Sequence, residues 1–243
     1  MSGHSKWSTI KRKKAKIDAQ RGKIFTKISK EIIIAARNGG PDPAGNMRLK
    51  AAIEKAKAAN IPNENIQRAI QKGAGGGEGT QFEEFTYEGY GPGGAAILLY
   101  VATDNRNRTA GEVRHILSKH GGNLGESGCV SWLFKEKGII IIDRQETGIS
   151  EDDIMLLAVE AGAEDVKVEE DSFEVISAPE DFANVKTAFI EQGIPVADAE
   201  IAMVPQTTVK LQGEEAEKMV RMIDLLEDND DVQAVYTNFE LAD

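Results

Sequence analysis

The run GAGGGEG from Gly73 to Gly79 constrains the fold of this 243-residue chain more than any other feature of its sequence. A segment so rich in glycine offers few side chains to a hydrophobic core, and its backbone is unusually free. The pattern of apolar residues also changes at this point, from helical spacing before it to strands and helices after it. The sequence therefore predicts a flexible hinge with separately folded parts on either side.

The same run resembles the loops that bind nucleotide phosphates. A Walker loop needs a lysine directly before its Ser or Thr, because that lysine reaches the phosphates. Here Gly79 precedes Thr80. This mismatch argues against a nucleotide-using enzyme, and we predict a non-enzymatic protein without catalytic residues or a small-molecule substrate.

Metal and thiol chemistry find little support in the sequence. The chain has three histidines and one cysteine, Cys129, so the paired ligands of a zinc site are missing. The acidic run Asp228 to Asp231 lacks the glycine and closing glutamate of a calcium loop, and we interpret it as a solvated face. We predict no metal, no cofactor, and a core or edge position for Cys129.

Before the hinge, the chain has the pattern of a small helical domain. Ile24, Phe25, Ile28 and Ile32 recur at helical spacing and are followed by a Gly-Gly-Pro stop. A second helix is predicted from near Pro43 to Asn60, and a third follows Ile61-Pro62 and ends at Gly73. We therefore predict a three-helix domain over residues 1–76, which includes a flexible N-terminal arm.

After the hinge, strands alternate with helices, which predicts two small α+β domains of ferredoxin-like type. The part from Phe82 to Phe134 has one helix and needs another to cover its sheet, and the helix after Gly213 can supply it. We therefore predict a discontinuous domain of residues 80–135 plus 206–243, with residues 136–205 inserted into it. Alternation of Val130, Trp132 and Phe134 predicts a strand at the junction, with these three side chains on one face.

Charge divides the chain at the same place. Residues 1–72 contain 17 Lys and Arg against 5 Asp and Glu, a net charge of +12, whereas the remaining residues contain 12 against 35, a net charge of -23. The overall charge of -11 conceals a basic module joined to an acidic body.

The strongest candidate site is the basic N-terminal segment. Lysine and arginine side chains this close together repel one another, and binding to phosphates relieves that repulsion. A phosphate contact does not read the nucleotide sequence. Trp7, within the same segment, can stack on an unpaired base. An organelle transit peptide and a plain solvated terminus remain alternatives. The predicted contact residues of the segment are Lys6, Trp7, Lys11, Arg12, Lys13, Lys14, Lys16, Arg21 and Lys23.

A second candidate site precedes the helix predicted from Thr109 to Lys119. Thr109 and Glu112 have the spacing of a capping box, so Arg106 and Arg108 fall just before the positive end of that helix. Bases are disfavoured there by about 0.3–1 kcal/mol each, so the pair needs an anion, and a phosphate satisfies this need. Arg114, on the solvent side of the helix, joins this site. The alternative is an ion pair with Glu83, Glu84 or a C-terminal acid.

The chain contains no stretch of about 20 apolar residues, which a membrane helix requires. It also lacks an apolar leader behind its basic start, and its single cysteine cannot form an internal disulfide. No dimer signature is present. We therefore predict a cytoplasmic monomer that does not enter a membrane.

Four stretches resemble the YebC family in order and in sequence: GHSKWSTIKRKKAKIDAQRGKIFTK, KAAIEKAKAANIPNENIQRAIQKG, YEGYGPGG and TDNRNRTAGEVRHILSKHGGNLG. That family includes bacterial proteins labelled transcriptional regulators and a mitochondrial translational activator of cytochrome c oxidase. The resemblance implies three domains, one interrupting another, and a non-enzymatic cytoplasmic protein that acts on nucleic acid.

Two functions fit the same residues. The first is a probable transcriptional regulatory protein that binds DNA through its basic N-terminal domain, which agrees with the label most often attached to the family. The alternative is a ribosome-associated translation factor that binds ribosomal RNA, since phosphate sites on separate domains suit a large RNA surface. In both cases the predicted partner is nucleic acid.

Overall fold

The computed structural model describes residues 6–75 and 81–242, with only the backbone described for residues 6–21. Three helices form the helical domain: α1 (Lys6–Gly39), α2 (Met47–Ala58) and α3 (Asn63–Ala74). Most of the predicted hinge, residues 76–80, lies outside the described residues. Residues 81–242 contain strands and α-helices. In chain order these are β1 (Glu83–Tyr90), β2 (Ala96–Thr103), α4 (Arg106–Lys119), β3 (Asn123–Leu124), β4 (Phe134–Asp143), α5 (Arg144–Thr147), α6 (Glu151–Ala161), β5 (Asp165–Val168), β6 (Ser172–Ser177), α7 (Phe182–Glu191), β7 (Asp198–Pro205), β8 (Val209–Leu211), α8 (Gly213–Asp228), β9 (Val232–Thr237) and β10 (Phe239–Leu241).

The first helix is longer than the apolar spacing predicts. Its 34 residues would extend about 50 Å at the usual rise per residue. The segment predicted as a flexible arm forms its N-terminal half from Lys6 onward, because no Gly or Pro interrupts the sequence before Gly22 and most residues there favour helix. The basic segment is therefore an extension of a core helix, with its backbone in helical conformation.

The helical domain closes around the C-terminal half of α1. Ile28, Ile32 and Ala36 pack with Leu49 of α2 and Ile66 of α3, and all five are buried. The second helix begins at Met47, later than predicted. Its cap is a buried asparagine, Asn46, whose side-chain oxygen accepts a hydrogen bond from the Leu49 N–H while its amide donates to Ala35 O.

The first sheet belongs to the discontinuous α+β domain. Its strand order is β3-β1-β2-β9, with antiparallel pairing, so the C-terminal strand β9 lies beside β2. Helices α4 and α8 cover one face, where Leu99 and Val113 pack against Met219 and Leu226. The helix predicted to complete this layer is α8, and it does so because one helix cannot bury the apolar face of a four-stranded sheet.

The inserted domain contains the second sheet, ordered β5-β6-β4-β7, with α6 and α7 packed on one face around Ile140, Phe173 and Phe189. Phe134 pairs with Pro205, so the chain enters and leaves the insertion at adjacent strand ends. The predicted fold class, a three-helix domain followed by two α+β domains with one inserted into the other, is confirmed. The exact residue limits of the three domains remain a proposal.

The strand predicted from Val130 to Phe134 is wrong. Residues Ser131–Leu133 form a single 3₁₀ turn, and β4 begins at Phe134. Val130 and Phe134 are buried, whereas Trp132 is 69% exposed. The strand fails to form because the N–H groups of Val130 and Ser131 bind the Glu88 carboxylate, and they are thus unavailable to a strand ladder.

Candidate nucleic-acid interface

One side of α1 carries three lysines that bind an acidic segment at the end of α8. Lys23, Lys27 and Lys30 are spaced by four and three residues, so they lie on the same side of the helix. The Lys23 Nζ lies 3.1 Å from Asp228 O, and that of Lys27 donates to Glu227 O. We call residues 227–231 the acidic segment. It joins α1 to the discontinuous domain.

The third lysine reaches the centre of a buried cluster. Lys30 Nζ lies 2.7 Å from Asp231 Oδ1 and 2.8 Å from Asp230 O. The other carboxylate oxygen, Asp231 Oδ2, accepts from Arg108 Nη2 at 2.7 Å, Thr109 Oγ1 at 2.8 Å and Thr103 Oγ1 at 2.9 Å. We call Lys30, Thr103, Arg108, Thr109 and Asp231 the Asp231 cluster. They belong to three distant parts of the sequence.

Burial and hydrogen bonding act in opposite directions on the Asp231 carboxyl. Its side chain is 6% exposed, and that burial by itself raises the pKa. The hydrogen bonds from Arg108, Lys30, Thr109 and Thr103 outweigh burial, so the pKa of Asp231 lies well below its usual range. The same contact raises the pKa of Arg108 above its ordinary value. The carboxylate is therefore fully ionised at neutral pH.

This position corrects the interpretation of Asp228 to Asp231 as a solvated face, because Asp231 is buried. No local signal marks it: the residues around it are polar and acidic, and its lysine partner is 201 positions away. Lys30 was missed for the same reason. A lysine with several lysine neighbours in a basic helix has the pattern of a solvated charge.

The start of α4 also differs from the prediction. The helix begins at Arg106 and not after Thr109, and its cap is Asn105, whose side-chain oxygen accepts from the Arg108 N–H. Arg106 and Arg108 thus lie in the first turn. The sequence predicts that Arg108 needs an anion near the positive end of the helix. Two carboxylates supply it: Asp231, and Asp104, whose Oδ1 lies 2.9 Å from Arg108 Nη2.

The remaining arginines of this candidate site differ from Arg108. The Arg106 guanidinium lies over the ring of Phe85, 4.5 Å from its centroid, which leaves its side chain at the surface. Arg114 is exposed on the solvent side of α4, as predicted. The ion pair with a C-terminal acid, the alternative to phosphate binding, therefore describes Arg108, whereas phosphate contact at these three arginines remains a prediction.

A cleft of about 560 Å³ lies beside the Asp231 cluster, between α1, the start of β1 and the first turns of α4. Its walls carry more acids than bases, with Lys30 and Arg108 both bonded to Asp231. A phosphate in this cleft would meet a surplus of negative charge. The acidic lining consists of Asp104, Glu112, Asp228, Asp230 and Asp231.

The predicted contact residues of the basic segment are placed by their backbone alone. The side chains of Lys6, Trp7, Lys11, Arg12, Lys13, Lys14, Lys16 and Arg21 lie outside the described residues, although their backbone is helical. Lys23 is described: its ammonium lies 3.6 Å from the Asp228 carboxylate, and both side chains are substantially exposed. An exposed pair of this kind contributes only about 0–1 kcal/mol, so it exchanges readily with another anion.

Known protein families account for nearly the entire chain. Residues 5–76 match the TACO1/YebC protein N-terminal domain, and residues 82–239 match the TACO1/YebC second and third domain. The chain belongs to the TACO1/YebC family. This confirms the resemblance that the four sequence motifs indicate, and it places the boundary between the two TACO1/YebC matches at the glycine run.

Curated relatives share this TACO1/YebC architecture over their full length. A protein from Desulforamulus reducens is 82% identical over 99% of both chains, and one from Pelotomaculum thermopropionicum is 62% identical over 100% of both. Each carries the name "Probable transcriptional regulatory protein".

A solved structure has the same fold as this TACO1/YebC chain. The crystal structure of the conserved hypothetical protein Aq1575 from Aquifex aeolicus is 51% identical in sequence, with a TM-score of 0.84 over 94% of both chains. Within residues 6–75 and 81–242, no helix is long and apolar enough to cross a membrane. The same residues contain no group of three or more His, Cys, Asp or Glu placed to hold a metal ion.

Proposed function

We propose that the protein is a non-enzymatic regulator of gene expression that acts on transcription and binds DNA through the N-terminal half of α1. The observation that carries the proposal is the continuity of this helix. Eight Lys and Arg residues between Lys6 and Lys23 follow one another on it, and its C-terminal half is held in a core. The name shared by the full-length relatives supports the regulatory role.

The distribution of these bases favours a helix lying in a groove. Four consecutive positions, 11 to 14, are Lys or Arg, and a helical backbone at about 100° per residue distributes these positions over about 300° around the helix axis. A flat anionic surface could contact only part of this set. A helix in the major groove of B-form DNA has phosphates on both sides, whereas the major groove of an RNA duplex is too narrow and deep for such entry.

Charge elsewhere in the chain favours this half of α1 as the main contact. The lysines at positions 23, 27 and 30 already bind the acidic segment, and the cleft beside them is lined mostly by acids. The residues after position 72 carry a net charge of -23, which phosphates repel. The Lys and Arg residues from Lys6 to Arg21 therefore contact the DNA, and the acidic part of the protein stays outside the groove. We expect a monomer in the cytoplasm.

The proposal is tested by measuring DNA affinity against salt concentration. Full-length protein is titrated into a short labelled DNA duplex and into an RNA hairpin of matched sequence, with binding followed by fluorescence anisotropy. Lys11, Lys13 and Lys14 are replaced together by Gln. If all three bind phosphates, the slope of log affinity against log salt falls by about 2.7 for B-form DNA.

The matched control replaces three exposed lysines of the same domain, Lys50, Lys57 and Lys72, by Gln. The control removes the same charge and should leave the slope nearly unchanged. Equal effects of the two triple variants, or no binding to the duplex at low salt, would refute the proposal. If the protein instead prefers the RNA hairpin, and if it cosediments with ribosomes but the first triple variant does not, a role in translation is supported.

A further inference from the structure

Trp132 is the exposed aromatic side chain that the fold leaves without a structural explanation. It is 69% exposed, whereas every other aromatic side chain within residues 22–75 and 81–242 is buried or half-buried. It lies in the 3₁₀ turn just before β4, where the discontinuous domain passes into the inserted one. Its exposure leaves most of a large apolar ring in water.

The ring is held in place even though it is exposed. The indole Nε1 donates to Cys129 O at 3.0 Å, and the Tyr90 hydroxyl donates to the same oxygen at 3.2 Å. After the turn, Leu133 O accepts from the Gln206 N–H at 2.8 Å. The chain is thus anchored on both sides of Trp132.

The segment before the ring is anchored by a buried carboxylate. Glu88, on β1, is 5% exposed and accepts hydrogen bonds from the N–H groups of Gly128, Val130 and Ser131 at 2.7 to 2.8 Å. Burial raises the pKa of Glu88, but these three bonds outweigh it and hold the pKa below its ordinary value. A side chain fixed in this way loses little conformational entropy when a ligand binds to it.

The face of the Trp132 ring is the part of this side chain that remains available to a ligand. The only hydrogen-bond donor of the indole is already bonded to the backbone. Aromatic faces bind flat rings by stacking, or cations. Under the proposed function the ligand is a nucleic acid, whose bases are flat aromatic rings, and exposed Lys135 follows Trp132 by three residues.

We propose that Trp132 is a stacking platform for an unpaired nucleobase of single-stranded RNA or DNA. It is a second nucleic-acid contact, outside the helical domain, and this inference rests on the proposed function. Exposed Lys135, three residues further along the chain, is close enough in sequence to attract an adjacent phosphate. Such stacking accepts any base, since every base has an aromatic face.

The test uses tryptophan fluorescence, because the chain has only two tryptophans. In a Trp7→Phe background, Trp132 is the sole reporter, and any effect of losing Trp7 is common to all samples. The protein is titrated with a labelled single-stranded RNA, the same sequence as single-stranded DNA, and a DNA duplex. We expect both single strands to quench Trp132 on binding and the duplex to leave it unchanged, and the stronger quencher identifies the source of the base.

Substitution of the ring completes the test. In the same background, Trp132→Ala should weaken single-strand binding about five- to 150-fold for one stacked base, and Trp132→Phe should restore most of it. Affinity for the duplex should not change, and far-UV circular dichroism checks the fold. If the anisotropy of the labelled strands reports binding while Trp132 fluorescence and the Trp132→Ala affinity stay unchanged, this inference fails and the proposed function stands. If no nucleic acid binds, the proposed function fails as well.

Discussion

The Lys30 ammonium and the Asp231 carboxylate are buried 2.7 Å apart, although 201 positions separate the two residues in the chain. Their ion pair joins α1 of the helical domain to the segment that leads into β9. Arg108 and Thr109, from the first turn of α4, bind the same carboxylate. One aspartate therefore fixes three elements of two domains relative to one another.

Replacement of Asp231 by Ala should strongly destabilise the protein. Loss of the carboxylate leaves the buried Lys30 ammonium without its partner, and breaking a buried pair from one side costs about 3–5 kcal/mol. Urea unfolding followed by circular dichroism measures the change. The control is Asp230→Ala, which removes the same charge from an exposed side chain and should change the free energy of unfolding by no more than about 0.5 kcal/mol. Equal effects would contradict a central role for Asp231.

The contribution of Asp231 should disappear in acid. Its pKa in the folded protein is lower than the value of about 3.9 expected when unfolded, so the unfolded state binds the proton more readily. The stabilisation is therefore complete above about pH 4 and is lost as the pH falls from there through the folded pKa. Thermal unfolding of the natural protein and of Asp231→Asn should differ most near neutral pH and converge in acid. A difference that stays constant across this range would rule out the titration.

Replacing Gly73 or Gly111 by alanine should change the free energy of unfolding in opposite directions. Gly73 lies where α3 crosses α1, and an added Cβ there would come within 2.8 Å of the Ala36 Cβ and closer still to Ile33 O. We expect Gly73→Ala to cost about 1–3 kcal/mol by forcing the helices apart. Gly111 lies inside α4, and beyond the adjacent backbone of that helix no atom lies within 4 Å of the added Cβ, so Gly111→Ala should stabilise the protein by about 0.5–1 kcal/mol. Urea unfolding of the two variants checks both signs.

Glu88 should control access to Cys129. The thiol is half-buried, and burial raises its pKa, so its reaction with a disulfide reagent should be slow. The Glu88→Gln substitution removes the charged acceptor of three N–H groups. A hydrogen bond to a charged group contributes about 1.5–3 kcal/mol to stability, so the turn that holds Cys129 should open more often. We expect the single cysteine to react about tenfold faster or more, since 1.4 kcal/mol corresponds to a factor of about ten.

The control for this experiment is Glu83→Gln, an exposed acid on the same strand. It should leave the reaction rate unchanged. A similar rate in all three proteins would show that the Glu88 carboxylate does not restrain the Cys129 turn.

Sequence patterns predicted the architecture well where the signal was local. Ile66, Ala69 and Ile70 recur at helical spacing and are buried in α3. The missing cover of the first sheet predicted that α8 returns to it. Both predictions succeed because a helix or sheet with one apolar face must bury that face, and few arrangements of the chain do so.

The errors occur where a distant side chain competes with a local pattern. Alternation of Val130, Trp132 and Phe134 predicts a strand, but Glu88, from β1, binds the N–H groups that a strand would need. The spacing of Thr109 and Glu112 predicts a helix start, yet Asn105 caps α4, and Thr109 donates its hydroxyl to Asp231.

The sequence by itself determined most of the helical and strand elements, the two α+β units and the division into a basic module and an acidic body. Only the tertiary structure decided which charges neutralise one another inside the protein. It paired Lys30 and Arg108 with Asp231, and it left Trp132 in solvent. The physical reason is that apolar periodicity acts between residues close in sequence, whereas an ion pair or a buried carboxylate depends on groups that meet only when the chain has folded.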